Sequence, residues 1–273
     1  MKKEYPVLHI PAIGNFVLNI EPSPKDDRDF LVSKVYASSV VIPGIVDHRR
    51  KLLDIRNQGN QGTCAAQSAA CMKEWQEGRD IGLQSHLSPQ FVYNNRENKK
   101  SEGMYGRDVM RILSEVGIVL EREYPYRTKR KINKTLLARA RRFTIAGYAK
   151  VNSIDELKRA LIDNGPCYIA VPVYDDGIRM WKQKHLNQKQ TGGHAMCLVG
   201  YNKDGFIIRN SWGTRWGNSG YCIFPYKDWG CQWEVWTTID AKTAKALKPK
   251  EVSKRSNFIE ELFNFIKKLF MRV

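Results

Sequence analysis

The chain has 273 residues, enough for one large domain or two small ones, and its 42% hydrophobic and 11% aromatic content excludes a disordered chain. Forty-five Lys and Arg against 28 Asp and Glu leave a formal charge of +17, which suits acidic partners, anionic surfaces or nucleic acid without selecting among them. No zinc-finger spacing, RNP-type run or basic heptad helix accompanies that charge, so nucleic acid is not read as the specific partner.

Residues 1–40 read as an N-terminal extension. Tyr5 to Ile20 can hold one or two short strands, and Glu21 to Asp29 is a polar loop with prolines. Pro11 and Asn15 interrupt the apolar start, so neither a secretory signal nor a membrane span is expected there. After Val40-Val41-Ile42-Pro43 a short strand should lead to Asp47. The next feature is the glycine-punctuated loop Gln58 to Thr63, which runs into the alanine-rich segment Cys64 to Glu77, a helix expected to stop at Gly78. Cys64 stands at that helix start, where unpaired N–H groups and the helix dipole favour a thiolate. By itself such a cysteine is more often inert packing.

Ser88-Pro89 announces a second helix, and Arg107 to Val116 reads as an amphipathic one closed by Gly117. Ser153 and Glu156 form a capping-box pattern before a helix over 154–164. From Cys167 onward the pattern changes to short β-rich runs, at 168–173, 195–199 and 206–208. Helices in the first half and strands in the second argue for an α+β chain with two lobes. Residues 243–273 comprise a basic linker and an amphipathic helix over Asn257 to Arg272, with Phe258, Leu262, Ile266 and Leu269 on one face. That helix suits a membrane surface or a protein partner, and equally its own protein.

A thiolate nucleophile needs a base, and the base an orienting group. His194 begins a β-run after Gly192-Gly193, the turn Asn202-Lys203-Asp204-Gly205 follows, and the next strand delivers Asn210. A hairpin centred near Asn202 would set His194 opposite Asn210, so that the amide could orient the imidazole towards a thiol. The six cysteines contain no C-x-x-C pair, so a structural zinc site has no support.

The stretches Gln58-Gly59 through Thr63-Cys64-Ala65, Leu87-Ser88-Pro89-Gln90, Glu123-Tyr124-Pro125-Tyr126, Gly165-Pro166, Gly193-His194-Ala195 and Asn210-Ser211-Trp212-Gly213 through Gly220-Tyr221 occur in one order. In these the chain resembles the papain-like cysteine peptidases. The resemblance implies a peptidase domain over residues 41–242, with a helical lobe, an antiparallel β-rich lobe and a cleft between them. It implies Cys64 as nucleophile, His194 as base, Asn210 as orienter, Trp212 as shield of that hydrogen bond, and Gln58 as an oxyanion donor. It further implies hydrolysis of a polypeptide substrate through a thioester, with no metal or organic cofactor. Gly103, Tyr105, Ala170 and Gly193 become candidate substrate-binding residues.

Departures from the family pattern are also informative. Gln61, Asn95 and Ser101 stand where the family carries disulfide cysteines, which fits a cytoplasmic or other reducing compartment, packaging in a virus particle included. Ala65 and Gln67 replace aromatics beside the nucleophile, and these, with the unusual termini, favour a peptide-binding or scaffold relative with weak turnover. The long helical pro-region of lysosomal relatives is not expected within residues 1–40. The extension's apolar run from Val7 to Ile20 is expected to pack on the enzyme, across the cleft, as a regulatory segment.

Overall fold

The computed structural model describes residues 5–32 and 41–240; the linker and helix expected over 243–273 lie outside them. Helix α1 (Cys64–Ile81) is the centre of the packing. Its alanines at 65, 66, 69 and 70 are wholly buried, and their small side chains let other elements close in on several sides. Two short neighbours lie against it, α2 (Pro89–Asn94) and α3 (Gly106–Glu115). The helix runs a turn further than Gly78 suggested. Gly78 is accommodated inside it, and the stop is Gly82 in the left-handed conformation (φ +71°), with Gly82 N–H donating to Gly78 O and Leu83 N–H to Glu77 O. Lys73, buried in the middle of α1, is neutralised by Glu77 (2.6 Å) and Asp240 (2.7 Å).

The α2 start is as expected: Pro89 is its first residue and the Ser88 hydroxyl accepts from Phe91 N–H at 3.0 Å. Helix α4 (Lys134–Ala140) has no counterpart in the sequence reading, because its only inward residues are Leu136 and Ala140. The Asn133 side chain caps it through Leu136 N–H. A short strand, β4 (Gly147–Lys150), leads to α5 (Ile154–Asp163). There Ser153 accepts from Glu156 N–H, while the Glu156 carboxylate reaches one residue further back, to Asn152 N–H.

The second lobe is an antiparallel sheet. Strands β5 (Cys167–Val173), β6 (Gly192–Tyr201), β7 (Gly205–Arg209), β8 (Tyr221–Pro225) and β9 (Glu234–Ile239) join β4 in the spatial order β4-β9-β5-β6-β7-β8. The two-residue β3 (Val46–Asp47) pairs with the end of β6. Strand β6 packs directly on α1, so this contact joins the lobes. The Asn202–Gly205 turn forms, closed by Asn202 N–H to Gly205 O at 2.9 Å. Its register differs from the expectation, with Cys197 facing Arg209 and a shift between Leu198 and Gly200. His194 and Asn210 are therefore not directly opposite. Past Arg209 the chain leaves the β6 ladder, Asn210 N–H bonds to Gly220 O, and the Asn210 side chain reaches diagonally to His194.

Strands β1 (Val7–Ile10) and β2 (Gly14–Val17) form a hairpin in the extension, which leads into a strap. Residues 18–32 then cross the molecule and end beside β4, where Lys150 N–H donates to Phe30 O at 2.7 Å.

Candidate active site

The Cys64 thiol lies at the first turn of α1, with the backbone N–H groups of Cys64, Ala65 and, from β6, Ala195 directed at it. These donors favour the thiolate, yet burial outweighs them and pushes the thiol up to about 11. The residue before Ala195 is His194, which is fully buried. Its Nε2 lies 2.7 Å from Asn210 Oδ1. That oxygen also accepts from Ser211 N–H, so the imidazole proton sits on Nε2 and Nδ1 keeps its lone pair. Nδ1 is buried without a hydrogen-bond partner. Burial lowers the imidazole to about 4, opposed by the Asn210 bond. Thiol and imidazole are thus both neutral in this state.

Trp212 covers the pair, its ring 4.4 Å from that of His194, with Trp216 edge-on behind it at 5.7 Å. Gln58 is buried beside them. Its Oε1 accepts from Ser211 Oγ at 2.7 Å and its Nε2 donates to Gln61 O at 3.1 Å. Tyr126, not singled out from the sequence as a site residue, holds this loop: its hydroxyl donates to Gln58 O (2.8 Å) and meets Thr63 Oγ1 (2.7 Å). The signal was present in the Glu123–Tyr126 block, but only the fold shows which loop it grips.

The exposures of Cys64 (1%) and His194 (0%) have a local cause. The strap runs between the lobes. A Cβ on Gly103 would lie 1.4 Å from Asn19 O, one on Gly192 2.5 Å from Leu18 O, and one on Gly193 2.2 Å from Ile20 O. Only residues without a side chain allow that approach. Ile20 N–H donates to Gly193 O at 3.3 Å. The Asn19 amide, oriented to satisfy both ends, accepts from Ser101 Oγ (2.9 Å) and from the Glu102 and Gly103 N–H groups (3.1 Å each). Upstream, the Phe16 ring stacks on Trp212 at 4.8 Å. Downstream, Glu21 accepts from Tyr105 OH at 3.2 Å, and Asp29 takes a two-point bond from Arg107 at 2.7 and 2.6 Å.

Of the four candidate substrate-binding residues, Gly103 and Gly193 flank the strap on opposite lobes and Tyr105 touches it. Ala170 lies on β5 opposite Ala195 of β6 and Glu234 of β9. Glu234 was missed in the sequence. It is nearly buried, at 3% exposure, and three uncharged donors reach it: Ser23 N–H (3.3 Å), Ser23 Oγ (3.1 Å) and Gly106 N–H (3.2 Å). On the sheet side the strap leaves a pocket of about 450 Å³ lined by Leu18, Ile20, Gly192, Gly193 and Trp233, so it fills the cleft incompletely.

The sequence model of the papain family cysteine protease matches residues 42–237. An uncharacterised peptidase C1-like protein of Acanthamoeba polyphaga mimivirus is 28% identical over 222 residues, 68% of this chain and 70% of that one. A cathepsin L-like peptidase of Aedes aegypti is 30% identical over 211 residues, 70% of this chain and 61% of its own length. Among solved structures, xylellain, a cysteine protease from Xylella fastidiosa, superposes with a TM-score of 0.72 at 25% identity, covering 82% of this chain and 96% of that one. With the thiol, the buried imidazole and its amide on two facing lobes, this chain belongs to the papain family of cysteine proteases, which hydrolyse peptide bonds through a cysteine thiol.

Proposed function

We propose that the chain is an endopeptidase in which Cys64 attacks the scissile carbonyl, His194 takes the thiol proton and returns it to the leaving amine, and Asn210 holds the imidazole. The observation that carries this reading is the His194 Nε2–Asn210 Oδ1 bond, which leaves a bare Nδ1 on the β6 segment that faces Cys64. The acyl group passes to sulfur as a thioester, and water activated by His194 then releases the acid. Gln58 and the Cys64 N–H serve as oxyanion donors, worth most where charge appears only in the transition state. Trp212 keeps water from the imidazole–amide bond. A peptidyl epoxide should alkylate Cys64 once the cleft is open, and absence of that adduct in strap-deleted protein would refute the assignment.

The strap is a built-in restraint in this reading. It lies where a substrate backbone would lie, between Gly103 and Gly193, and it removes Cys64 and His194 from water. Its cover also sets a pH dependence. His194 has a folded value of about 4 against 6.5 when hydrated, so states with exposed imidazole bind a proton that the closed state does not. The closed state keeps its full advantage above pH 6.5 and loses part of it, at most about 3 kcal/mol, as pH falls towards 4, since Trp212 stays on the imidazole when the strap lifts. Epoxide labelling of Cys64 in the full-length protein is therefore expected to quicken on acidification from pH 7 to 5. A buried thiol with no such coupling would show the reverse.

Glu234 supports a substrate preference. Among the described residues the hydrogen bonds to this nearly buried carboxylate come from neutral donors, and the nearby Arg107 is committed to its two-point bond with Asp29. A peptide whose Lys or Arg takes the place of Ser23 beside Glu234 would supply the missing charge. Cleavage profiling over a peptide library should show basic residues favoured over leucine at one position beside the cut. Glu234→Ala is expected to reduce that ratio by roughly 10- to 100-fold, in line with a partly buried ion pair. An unchanged ratio would remove Glu234 from the specificity pocket.

All six cysteines are free thiols, which supports function in a reducing compartment, cytoplasmic or within a virus particle. No helix among the described residues is long and apolar enough to cross a membrane. Docking of the 257–272 segment on a membrane surface or a protein partner is a proposal from its sequence pattern alone.

A further inference from the structure

Cys71 lies two turns beyond Cys64 on α1, and Cys197 lies three residues beyond His194 on β6. Where β6 packs on α1 the two side chains sit in one core cluster and together line a cavity of about 20 Å³ with Arg56, Glu74, Arg209 and Asn210. The surroundings are unusual for core cysteines. Arg209 is the cross-strand neighbour of Cys197 and is held in place by Leu53 O (2.7 Å) and Asp54 O (2.6 Å). Arg56 bonds Glu74 and Glu121 through its terminal nitrogens, and its buried Nε has no partner. The neighbouring Cys197 thiol, with help from the Arg209 and Arg56 charges, draws the Cys71 thiol below its ordinary value despite burial. The other five cysteines all move upward, Cys167 and Cys222 to about 12.

We propose that Cys71 and Cys197 form an internal redox couple that hydrogen peroxide oxidises to a disulfide between α1 and β6. The cavity has room for a molecule of about water's size, which excludes glutathione and leaves peroxide as the fitting two-electron oxidant. The Cys71 thiolate attacks one peroxide oxygen and the O–O bond breaks, giving the sulfenic acid and, after protonation of the departing hydroxide, one water. Cys197 sulfur then attacks the sulfenic sulfur; the S–S bond forms, the S–O bond breaks, and the thiol proton leaves with the hydroxyl as a second water. Two thiols and one peroxide thus become one disulfide and two waters. The bond ties the helix that starts at Cys64 to the strand that carries His194, and so joins the two lobes at their contact.

The test uses full-length Cys64→Ala protein, which removes the nucleophile as a competing thiol and makes the outcome independent of its role. After hydrogen peroxide treatment, non-reducing digestion and mass spectrometry should find the peptides containing Cys71 and Cys197 joined, about 2 Da lighter than their sum. The melting temperature should rise by roughly 5–10 °C and return on reduction with dithiothreitol. Introducing Cys197→Ala in that background should abolish both the cross-link and the stabilisation, leaving Cys71 trapped by dimedone as sulfenic acid. Introducing Cys71→Ser instead should abolish cross-link and sulfenic acid alike, which guards against a packing defect in the first variant. Recovery of both thiols unmodified, or oxidation of Cys71 to sulfinic acid with Cys197 intact and reduced, would overturn the proposal.

Discussion

With Asp29 replaced by arginine, peptide hydrolysis by the full-length chain is expected to rise steeply. The substitution removes the two-point bond from Arg107 to the strap and sets two guanidinium groups against each other. Both side chains are largely shielded from solvent, at 20% and 10% exposure for Arg107 and Asp29. Losing such a pair costs the closed state about 2–3 kcal/mol, which shifts the closed-to-open ratio by roughly 30- to 150-fold. Activity should follow that ratio until most molecules are open, and deletion of residues 1–32 should set the ceiling. The measurement is kcat/KM on one fluorogenic peptide for the three proteins, alongside the rate of epoxide labelling. Equal activity of all three would show that the strap rests on the cleft without restraining it.

Cys64→Ala is expected to lower peptide hydrolysis by about 10⁴-fold or more, with the folded state intact, because no other group in the site can carry the acyl intermediate. His194→Ala should be nearly as severe, and the double variant scarcely worse than either, since thiol and imidazole act as one unit. Asn210→Ala should cost less, about 10- to 100-fold, by freeing the imidazole to rotate and exchange its tautomer. These comparisons belong in strap-deleted protein, where closure does not mask the chemistry. They also decide the competing reading of a binding relative without turnover, which Ala65, Gln67 and the unusual termini favour. A wild-type rate no higher than that of Cys64→Ala would establish that reading instead.

Much of the fold was legible because its signals are local. Ser88-Pro89, Ser153-Glu156 and Asn202–Gly205 each satisfy their own backbone groups within a few residues, and all three form where expected. Gly78 misled because a glycine can end a helix or simply be carried through it, and the choice fell to Gly82, where the left-handed cap forms. Helix α4 was missed because two inward residues make no periodic pattern. The His194–Asn210 register was two residues off because the hairpin turns about the Lys203–Asp204 bond and not about Asn202; the irregularity between Leu198 and Gly200 takes back one residue of a three-residue offset.

The sequence by itself determined the chemistry available: a thiol at a helix start, a histidine after paired glycines, and an asparagine one strand later, in an order specific enough to name a family. It determined these because reactive groups are read by residue type and short spacing. Only the tertiary structure decided the state of that chemistry. Residues 18–23 reach the cleft from far away in the chain, and their cover leaves Cys64 and His194 dry and uncharged. Likewise Glu234 with Ser23, and Cys71 with Cys197, meet only because separate elements pack together. Burial and charge at a site are sums over neighbours distant in sequence, which no local pattern records.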